Sequence, residues 1–105
     1  MRGVIGRLWH GWTARGDADA YEAFLRDELF HRLEMLDGYR GGYVMRLEHP
    51  DSVEFATLTK WESIEAIRVF AGDDHEAAVV EPEAARLLWH YQDRVAHFDV
   101  VVPPA

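Results

Sequence analysis

The stretch that decides the fold is FATLTKWESIEAIRVFAGDD, at positions 55–74. Its first part alternates along a strand predicted to span residues 53–61, with one face made of Val53, Phe55, Thr57, Thr59 and Trp61. Ser63 is a preferred helix N-cap, and the residues after it place apolar side chains at helical spacing. A strand that leads directly into an amphipathic helix predicts a domain in which helices pack on a sheet.

An opening strand at residues 4–13 has the same alternation. One of its faces carries Ile5, Arg7, Trp9, Gly11 and Thr13. A helix should follow, with Asp17 or Asp19 as its N-cap, because apolar residues recur there at helical spacing: Tyr21, Phe24, Leu25, Leu29, Leu33 and Leu36. Both strands therefore offer one face to a helical layer.

The remaining segments complete the plan. Residues 39–49 predict a second strand, with either a bulge or a close backbone approach at Gly41 and Gly42, and residues 49–52 predict the turn of a hairpin. Glu81-Pro82-Glu83 favours a last helix, whose apolar face would hold Leu87, Leu88 and Tyr91. A fourth strand is predicted at residues 94–101. The order β-α-β-β-α-α-β indicates a single α+β domain, residues 1–105, with a ferredoxin-like four-stranded antiparallel sheet and helices on one face.

Composition excludes several classes of function. The formal net charge is −8, and no basic stripe is present, which disfavours nucleic acid and anionic membranes as partners. The chain has no cysteine, so thiolate metal sites and thiol nucleophiles are excluded. No apolar run approaches the length of a membrane span or a signal peptide. We expect a cytoplasmic protein.

The sheet face away from the helices needs a cover. Leu8, Trp12, Ala56 and Leu58 alternate onto that face of the first and third strands. Exposing them together would leave a larger apolar patch than a monomer usually carries. The sequence therefore predicts a homodimer packed sheet to sheet, and the alternative is a polar open face, supported by His10, Glu54 and Lys60.

Five motifs, in this order and spacing, resemble the antibiotic biosynthesis monooxygenase family: Arg7-x-Trp9-x-Gly11-x-Thr13, Gly38-Tyr39, Thr59-Lys60-Trp61-Glu62-Ser63, Ala71-Gly72-Asp73-Asp74 and Val95-Ala96-His97-Phe98-Asp99. The resemblance implies a dimeric α+β barrel with a pocket between sheet and helices in each subunit. Members of this family include cofactor-free oxygenases of polyketide phenols, haem-degrading enzymes and proteins without known activity.

The resemblance, together with the shared faces of the strands, suggests a cofactor-independent monooxygenase acting on an aromatic or polyketide-like phenol. Such a reaction needs a cation or N–H donors beside a flat aromatic slot, to favour the substrate anion. Arg7 is the candidate oxyanion donor and His97 the candidate base. The substrate-binding candidates are Trp9, Thr13, Phe24, Trp61, Phe70, His75 and Trp89. No metal site is assigned.

Other roles remain open at these positions. Arg7 can instead form a structural ion pair with Asp99 or Glu62, and His97 can be a buried histidine without chemistry. A non-catalytic protein that binds a small hydrophobic ligand is the alternative function. The resemblance places the family's haem-binding positions near Trp9, Phe70 and Val80, and none of these residues matches the haem-binding type. A haem protein would therefore have to use His75 as a displaced ligand.

Overall fold

In the computed structural model, which describes residues 3–105, the sheet is built around strand β1, Ile5–Thr13. Strand β3, Val53–Trp61, runs antiparallel to it along its whole length, with Ile5 opposite Trp61 and Thr13 opposite Val53. The alternation predicted for both strands is confirmed. Met1 and Arg2, the first residues of the predicted domain, lie outside the described residues.

Strand β2, Tyr39–Glu48, forms the predicted hairpin with β3, and its register shifts between Tyr39 and Gly42. Gly41 has a φ of +90°, a conformation that favours glycine. A Cβ on Gly42 would lie 2.6 Å from the Leu58 carbonyl oxygen. The two glycines therefore allow the bulge and the close approach of β2 to β3.

The fourth position of the sheet is divided between two short strands. β4, Leu88–Tyr91, pairs with the Gly11–Thr13 end of β1, and β5, Ala96–Asp99, pairs with Ile5–Leu8. The predicted helix through Leu87, Leu88 and Tyr91 is therefore wrong beyond residue 85, and the predicted strand at 94–101 is shorter. The edge of β1 offers unpaired backbone groups, and pairing with them outweighs local helical spacing.

All helical segments pack on one face of this sheet. A 3₁₀ turn, Arg15–Asp17, leads into helix α1, Ala18–Phe24, a π-helical turn, Leu25–Leu29, and helix α2, Phe30–Leu33. Asp17 is the N-cap residue of α1, without a side-chain hydrogen bond. Helix α3, Ile64–Ala71, begins as predicted, since Ser63 Oγ accepts from the Ala66 N–H at 3.1 Å. Helix α4, Pro82–Ala85, is a single turn.

The core lies between the sheet and the helices in two clusters. One is centred on Trp9, Tyr21, Phe24 and Phe55, and the other on Leu33, Trp61 and Ile67. In the part of the chain that the structure describes, no element covers the opposite sheet face, and β2 and β5 add exposed large side chains to it: Tyr43, Met45, Leu47 and Phe98. The homodimer stays a prediction. None of the helices within residues 3–105 is long and apolar enough to cross a membrane.

Candidate functional site

A cavity separates β1 and β3 from the helical layer. Its volume, counted as the space that the centre of a water molecule can reach, is about 50 Å³. That space holds roughly three to five water molecules. Most of the wall is apolar and comes from β1, α1, the π-helical turn, α2, the end of α3 and the segment before α4, including Trp9, Phe24, Leu25, Leu29, Phe30, Phe70 and Val80. A ligand of two or three rings therefore needs the partly exposed Leu29, Phe30 or Phe70 to move.

Arg7 is the cation of this cavity. Its side chain comes from the helix-facing side of β1 and the residue is only 5% exposed. Burial lowers the pKa of Arg7 to about 10, so the guanidinium still carries its charge at neutral pH. Within residues 3–105 no carboxylate forms an ion pair with it, and Glu62, one of the two predicted partners, pairs with Arg40. The charge is thus buried without a compensating anion.

Neutral groups hold the Arg7 side chain in place. Nη1 donates to the His75 carbonyl oxygen and to His97 Nε2, the latter at 3.1 Å, and Nη2 donates to the Ala77 carbonyl oxygen at 2.8 Å. The guanidinium carbon lies 5.7 Å from the centre of the Phe70 ring. A guanidinium has five N–H donors. One on Nε and one on Nη2 remain without a protein acceptor in the described chain.

His97 lies directly beside Arg7, because β5 pairs with β1 in a register that places the two residues opposite each other. Burial, then the charges of Arg7 and His75, lower the pKa of His97. Since an arginine can only donate, Nε2 is the accepting nitrogen and the proton of the neutral ring is on Nδ1. Nδ1 is buried and has no hydrogen-bond partner among residues 3–105.

The arrangement changes the role expected for His97. The predicted base is next to the predicted oxyanion donor, but it does not line the cavity, and its lone pair is directed to Arg7. In this geometry the imidazole holds the guanidinium. His75 supplies a carbonyl oxygen to Arg7, and its ring centre lies 5.2 Å from that of His97, also outside the cavity wall.

His75, Glu76 and His97 place one potential metal ligand each within 4.8 Å of one another. A metal ion on Nε2 of His97 would take the lone pair that Arg7 uses. An ion on Nδ1 would move the proton to Nε2, where it would face the N–H of Arg7. Either mode requires Arg7 to leave, and Glu76 already binds Arg94 at 3.2 Å. The group is a hydrogen-bonded cluster in this conformation.

Three predicted aromatic residues, Trp9, Phe24 and Phe70, line the cavity. The indole N–H of Trp9 donates to the Gln92 carbonyl oxygen at 2.9 Å, so this ring offers only its surface to a ligand. A Cβ at Gly11 would lie 2.4 Å from Trp9 Cη2, which shows how closely the ring covers that glycine. Gly11 therefore makes room for the indole.

Three more predicted binding residues lie, like His75, outside the cavity wall. Thr13 is fully buried outside the cavity wall, and its hydroxyl oxygen has no partner within the described part of the chain. Trp61 is buried behind the cavity, where its N–H donates to Thr59 Oγ1 at 2.9 Å. Trp89 lies on β4 and is 71% exposed. None of these three residues lines the cavity.

Sequence reasoning missed the polar groups that accompany Arg7. Thr57, Thr59 and Tyr21 line the cavity, and burial raises the pKa of Tyr21, which keeps its hydroxyl protonated. The alternation of β3 had already placed both threonines on the helix-facing side. What the pattern could not supply is the register that sets Thr59 opposite Arg7.

The sequence matches no protein-family model and no curated protein. Solved structures do match. They include a Chloroflexus aurantiacus protein that carries the name of the antibiotic biosynthesis monooxygenases (16% identity, 97% of each chain, TM-score 0.66). The haem-degrading MhuD of Mycobacterium tuberculosis, with two haems bound, matches at 20% identity over 97% of this chain and 99% of that one, with a TM-score of 0.64. SnoaB, a cofactor-independent oxygenase from Streptomyces nogalater, matches at 16% identity over 96% of each chain, with a TM-score of 0.59.

Similarity at this level of identity establishes a shared fold. The chain has the ferredoxin-like α+β fold of the antibiotic biosynthesis monooxygenase structures, and the predicted resemblance is confirmed at that level. Structures with this fold include an oxygenase and a haem degrader, so the fold alone does not choose between the two activities.

Haem does not fit the cavity of this chain. Among residues 3–105 no histidine belongs to its wall, and Trp9, Phe70 and Val80, near which the resemblance put the haem-binding positions, line it with apolar surface. The ring of His75 lies against His97 on the far side of Arg7. A haem ligand would therefore have to come from outside the present wall.

Proposed function

We propose that this protein is a cofactor-independent monooxygenase that binds an aromatic, phenol-type substrate as its anion in the cavity beside Arg7. The observation that carries the proposal is the buried guanidinium, 5% exposed and without an ion-pair partner in residues 3–105, in a largely apolar wall. A buried charge is unfavourable unless it is paired. An anionic ligand supplies the missing charge, and the apolar wall accepts its rings.

Anion binding is the step that such a reaction needs. A phenolate is electron-rich enough to pass an electron to O₂, which gives a substrate radical and superoxide. Their combination forms a C–O bond and a peroxide anion. This anion takes up the proton that the phenol lost on ionisation, and the resulting hydroperoxide loses water to leave a quinone. The sum is phenol plus O₂ to quinone plus water, with a C–H carbon oxidised and O₂ reduced. By stabilising the anion, Arg7 would raise the fraction of substrate present in the form that reacts with O₂.

Each residue of the site has a different role in the proposed reaction. Arg7 binds the phenolate oxygen through the unused N–H donors on Nε and Nη2. His97 fixes the guanidinium through its Nε2, so it acts as a positioning residue. Trp9, Phe24 and Phe70 hold the ring system. We further propose that the protein is a cytoplasmic homodimer, a state supported by the uncovered apolar sheet face and by the lack of cysteine.

One observation favours the alternative, a binding protein without turnover. Among residues 3–105 no unoccupied base lines the cavity: His97 is turned to Arg7, and Glu81, a carboxylate in the wall, is paired with Arg32. A protein that only stores or carries a small hydrophobic anion needs a cation and an apolar wall but no base. The two functions therefore differ in whether the bound anion reacts with O₂.

Turnover of 1-naphthol distinguishes the monooxygenase from the binding protein without turnover. The wild type should consume one O₂ for each 1,4-naphthoquinone formed, and Arg7→Met should lower kcat/KM by about a hundredfold, a typical effect of removing an oxyanion donor. Arg68→Met, on the exposed surface of α3, is the matched control and should retain activity. Tight binding of the naphtholate without O₂ uptake would establish the alternative.

A further inference from the structure

We propose that the hydroxyl of Thr59 is a second oxyanion donor in the cavity and that the indole of Trp61 holds it in the donating orientation. The inference rests on the proposed function only for the anionic nature of the ligand. Two observations support it: Thr59 lies opposite Arg7, and the hydroxyl oxygen of Thr59 accepts a hydrogen bond from the indole of Trp61.

The sheet register brings Thr59 to Arg7. The two residues are opposite each other on β1 and β3, and both side chains belong to the cavity wall. Directly opposed residues of antiparallel strands have Cβ atoms about 4.5–5.5 Å apart on the same face. Thr59 is 6% exposed and Arg7 is 5% exposed. The proposal places one ligand oxygen between these two side chains.

The hydrogen bond from Trp61 decides what the Thr59 hydroxyl does. An indole N–H can only donate, so Oγ1 of Thr59, at 2.9 Å from Trp61 Nε1, is the acceptor. The hydroxyl proton then has to point elsewhere. In residues 3–105 no protein acceptor receives it. Since the residue lines the cavity, the proton is available to a ligand oxygen.

Trp61 is well placed to fix this direction. It is fully buried, with its ring centre 5.8 Å from that of Phe70 and 5.3 Å from that of Tyr39. On the other side of Thr59, a Cβ at Gly42 would come within 3.3 Å of the Thr59 methyl carbon, so this methyl group borders β2. The threonine side chain is confined on both sides.

Beside Arg7 the proposal thus offers three donors to one ligand oxygen: two free N–H groups and the Thr59 hydroxyl proton. A phenolate oxygen, which carries the charge, accepts from them more strongly than the oxygen of a neutral phenol. Charge-assisted hydrogen bonds of this kind are stronger than neutral ones. The cavity should thus select its ligand by ionisation state, and Thr59 should contribute to that selection.

Binding of 4-nitrophenol measures this without any turnover, because its phenolate has a distinct visible absorbance. The wild type should lower the pKa of the bound phenol. Thr59→Val should weaken phenolate binding about tenfold and reduce the pKa change, as expected for one hydrogen bond to a charged group. Thr59→Ser keeps the hydroxyl and should restore both values.

Thr13→Val is the matched control. Thr13 is a fully buried threonine on β1 that lies outside the cavity wall. Its replacement should leave the pKa of the bound phenol near the wild-type value. Equal effects of the two valine variants, or an unchanged affinity in Thr59→Val, would overturn the assignment of Thr59.

The role of Trp61 has its own measurement. If Thr59 donates to the ligand, its bond with Trp61 is polarised, and the indole N–H resonance of Trp61 should move when 4-nitrophenolate is added. In Thr59→Val the same resonance should stay in place, because its acceptor is gone. An unmoved wild-type resonance at saturation would remove Trp61 from the proposal.

Failure of 1-naphthol turnover, in contrast, would affect only the monooxygenase proposal.

Discussion

Arg7 and His97 lie opposite each other on adjacent strands, with Nη1 of the guanidinium 3.1 Å from Nε2 of the imidazole. The imidazole must be neutral to accept this bond, and its pKa is lowered by burial first and by the charges of Arg7 and His75 next. The hydrogen bond therefore couples the protonation state of His97 to the position of Arg7, which lines the cavity.

The first prediction concerns pH. The folded-state pKa of His97 lies below its unfolded value, so the unfolded chain takes up the proton first and stability falls as pH drops below the ordinary value of 6.5. Arg7 and His75 oppose the imidazolium and Glu76 favours it. His97→Gln keeps an acceptor but cannot titrate. The difference in unfolding free energy between wild type and His97→Gln should therefore change with pH only in the acid range.

Urea denaturation at several pH values provides this comparison. Subtracting the variant removes the contribution of other groups, such as Glu54, whose pKa is lowered by hydrogen bonds from His49 and His10. A difference that is constant from neutral pH to pH 5 would contradict the predicted neutral imidazole.

The second prediction removes the imidazole altogether. His97→Ala leaves a buried N–H of Arg7 without its acceptor, which should destabilise the protein by about 1–3 kcal/mol. Binding of 4-nitrophenolate should weaken as well, because the guanidinium loses one of its anchors. His31→Ala, at an exposed position on α2, serves as the control and should change neither property. Unaltered phenolate binding in His97→Ala would show that His97 does not position Arg7.

The third prediction concerns Gly11. A Cβ there would lie 2.4 Å from Trp9 Cη2, and the indole is held by its bond to Gln92, so the ring cannot move freely. Gly11→Ala should therefore cost about 1–3 kcal/mol in unfolding free energy, as overpacking does. Gly16→Ala meets open space and should be close to neutral. Equal stability of the two variants in urea would mean that Trp9 does not cover Gly11.

The fourth prediction tests the homodimer with two exposed methionines. Met45 lies on the open sheet face, paired with Ala56, and is 44% exposed, whereas Met35 follows α2 and is 72% exposed. An unpaired charge buried in a sheet-to-sheet interface is strongly unfavourable. In sedimentation velocity, wild type and Met35→Glu should be dimers and Met45→Glu should be a monomer. A wild-type monomer would contradict the predicted assembly.

Local patterns in the sequence were sufficient for the central parts of the fold. The alternation of β1 and β3 and the Ser63 cap follow from neighbouring residues alone, and all three are confirmed. The segment from Leu87 to Tyr91 has helical spacing, yet it becomes strand β4 because the edge of β1 is available for pairing. That edge is a property of the assembled sheet, which local spacing cannot reveal.

The candidate site, too, could be predicted only in part from local patterns in the sequence. Alternation placed Arg7, Trp9 and Thr59 on the helix-facing sides of their strands, but which residues meet depends on register between strands far apart in the sequence. Arg7 faces Thr59 across one strand pair and His97 across the other. The orientation of His97 toward Arg7, and of Trp61 toward Thr59, follows from those registers and could not be derived from spacing.

A crystal structure with 4-nitrophenolate bound is the most direct test of the anion site at Arg7. The phenolate oxygen should lie within hydrogen-bonding distance, about 2.7–3.2 Å, of Nε or Nη2 of Arg7, with the ring beside Trp9 and Phe70. A ligand that leaves the cavity empty and binds on the open sheet face, or one whose oxygen points away from Arg7, would contradict the account.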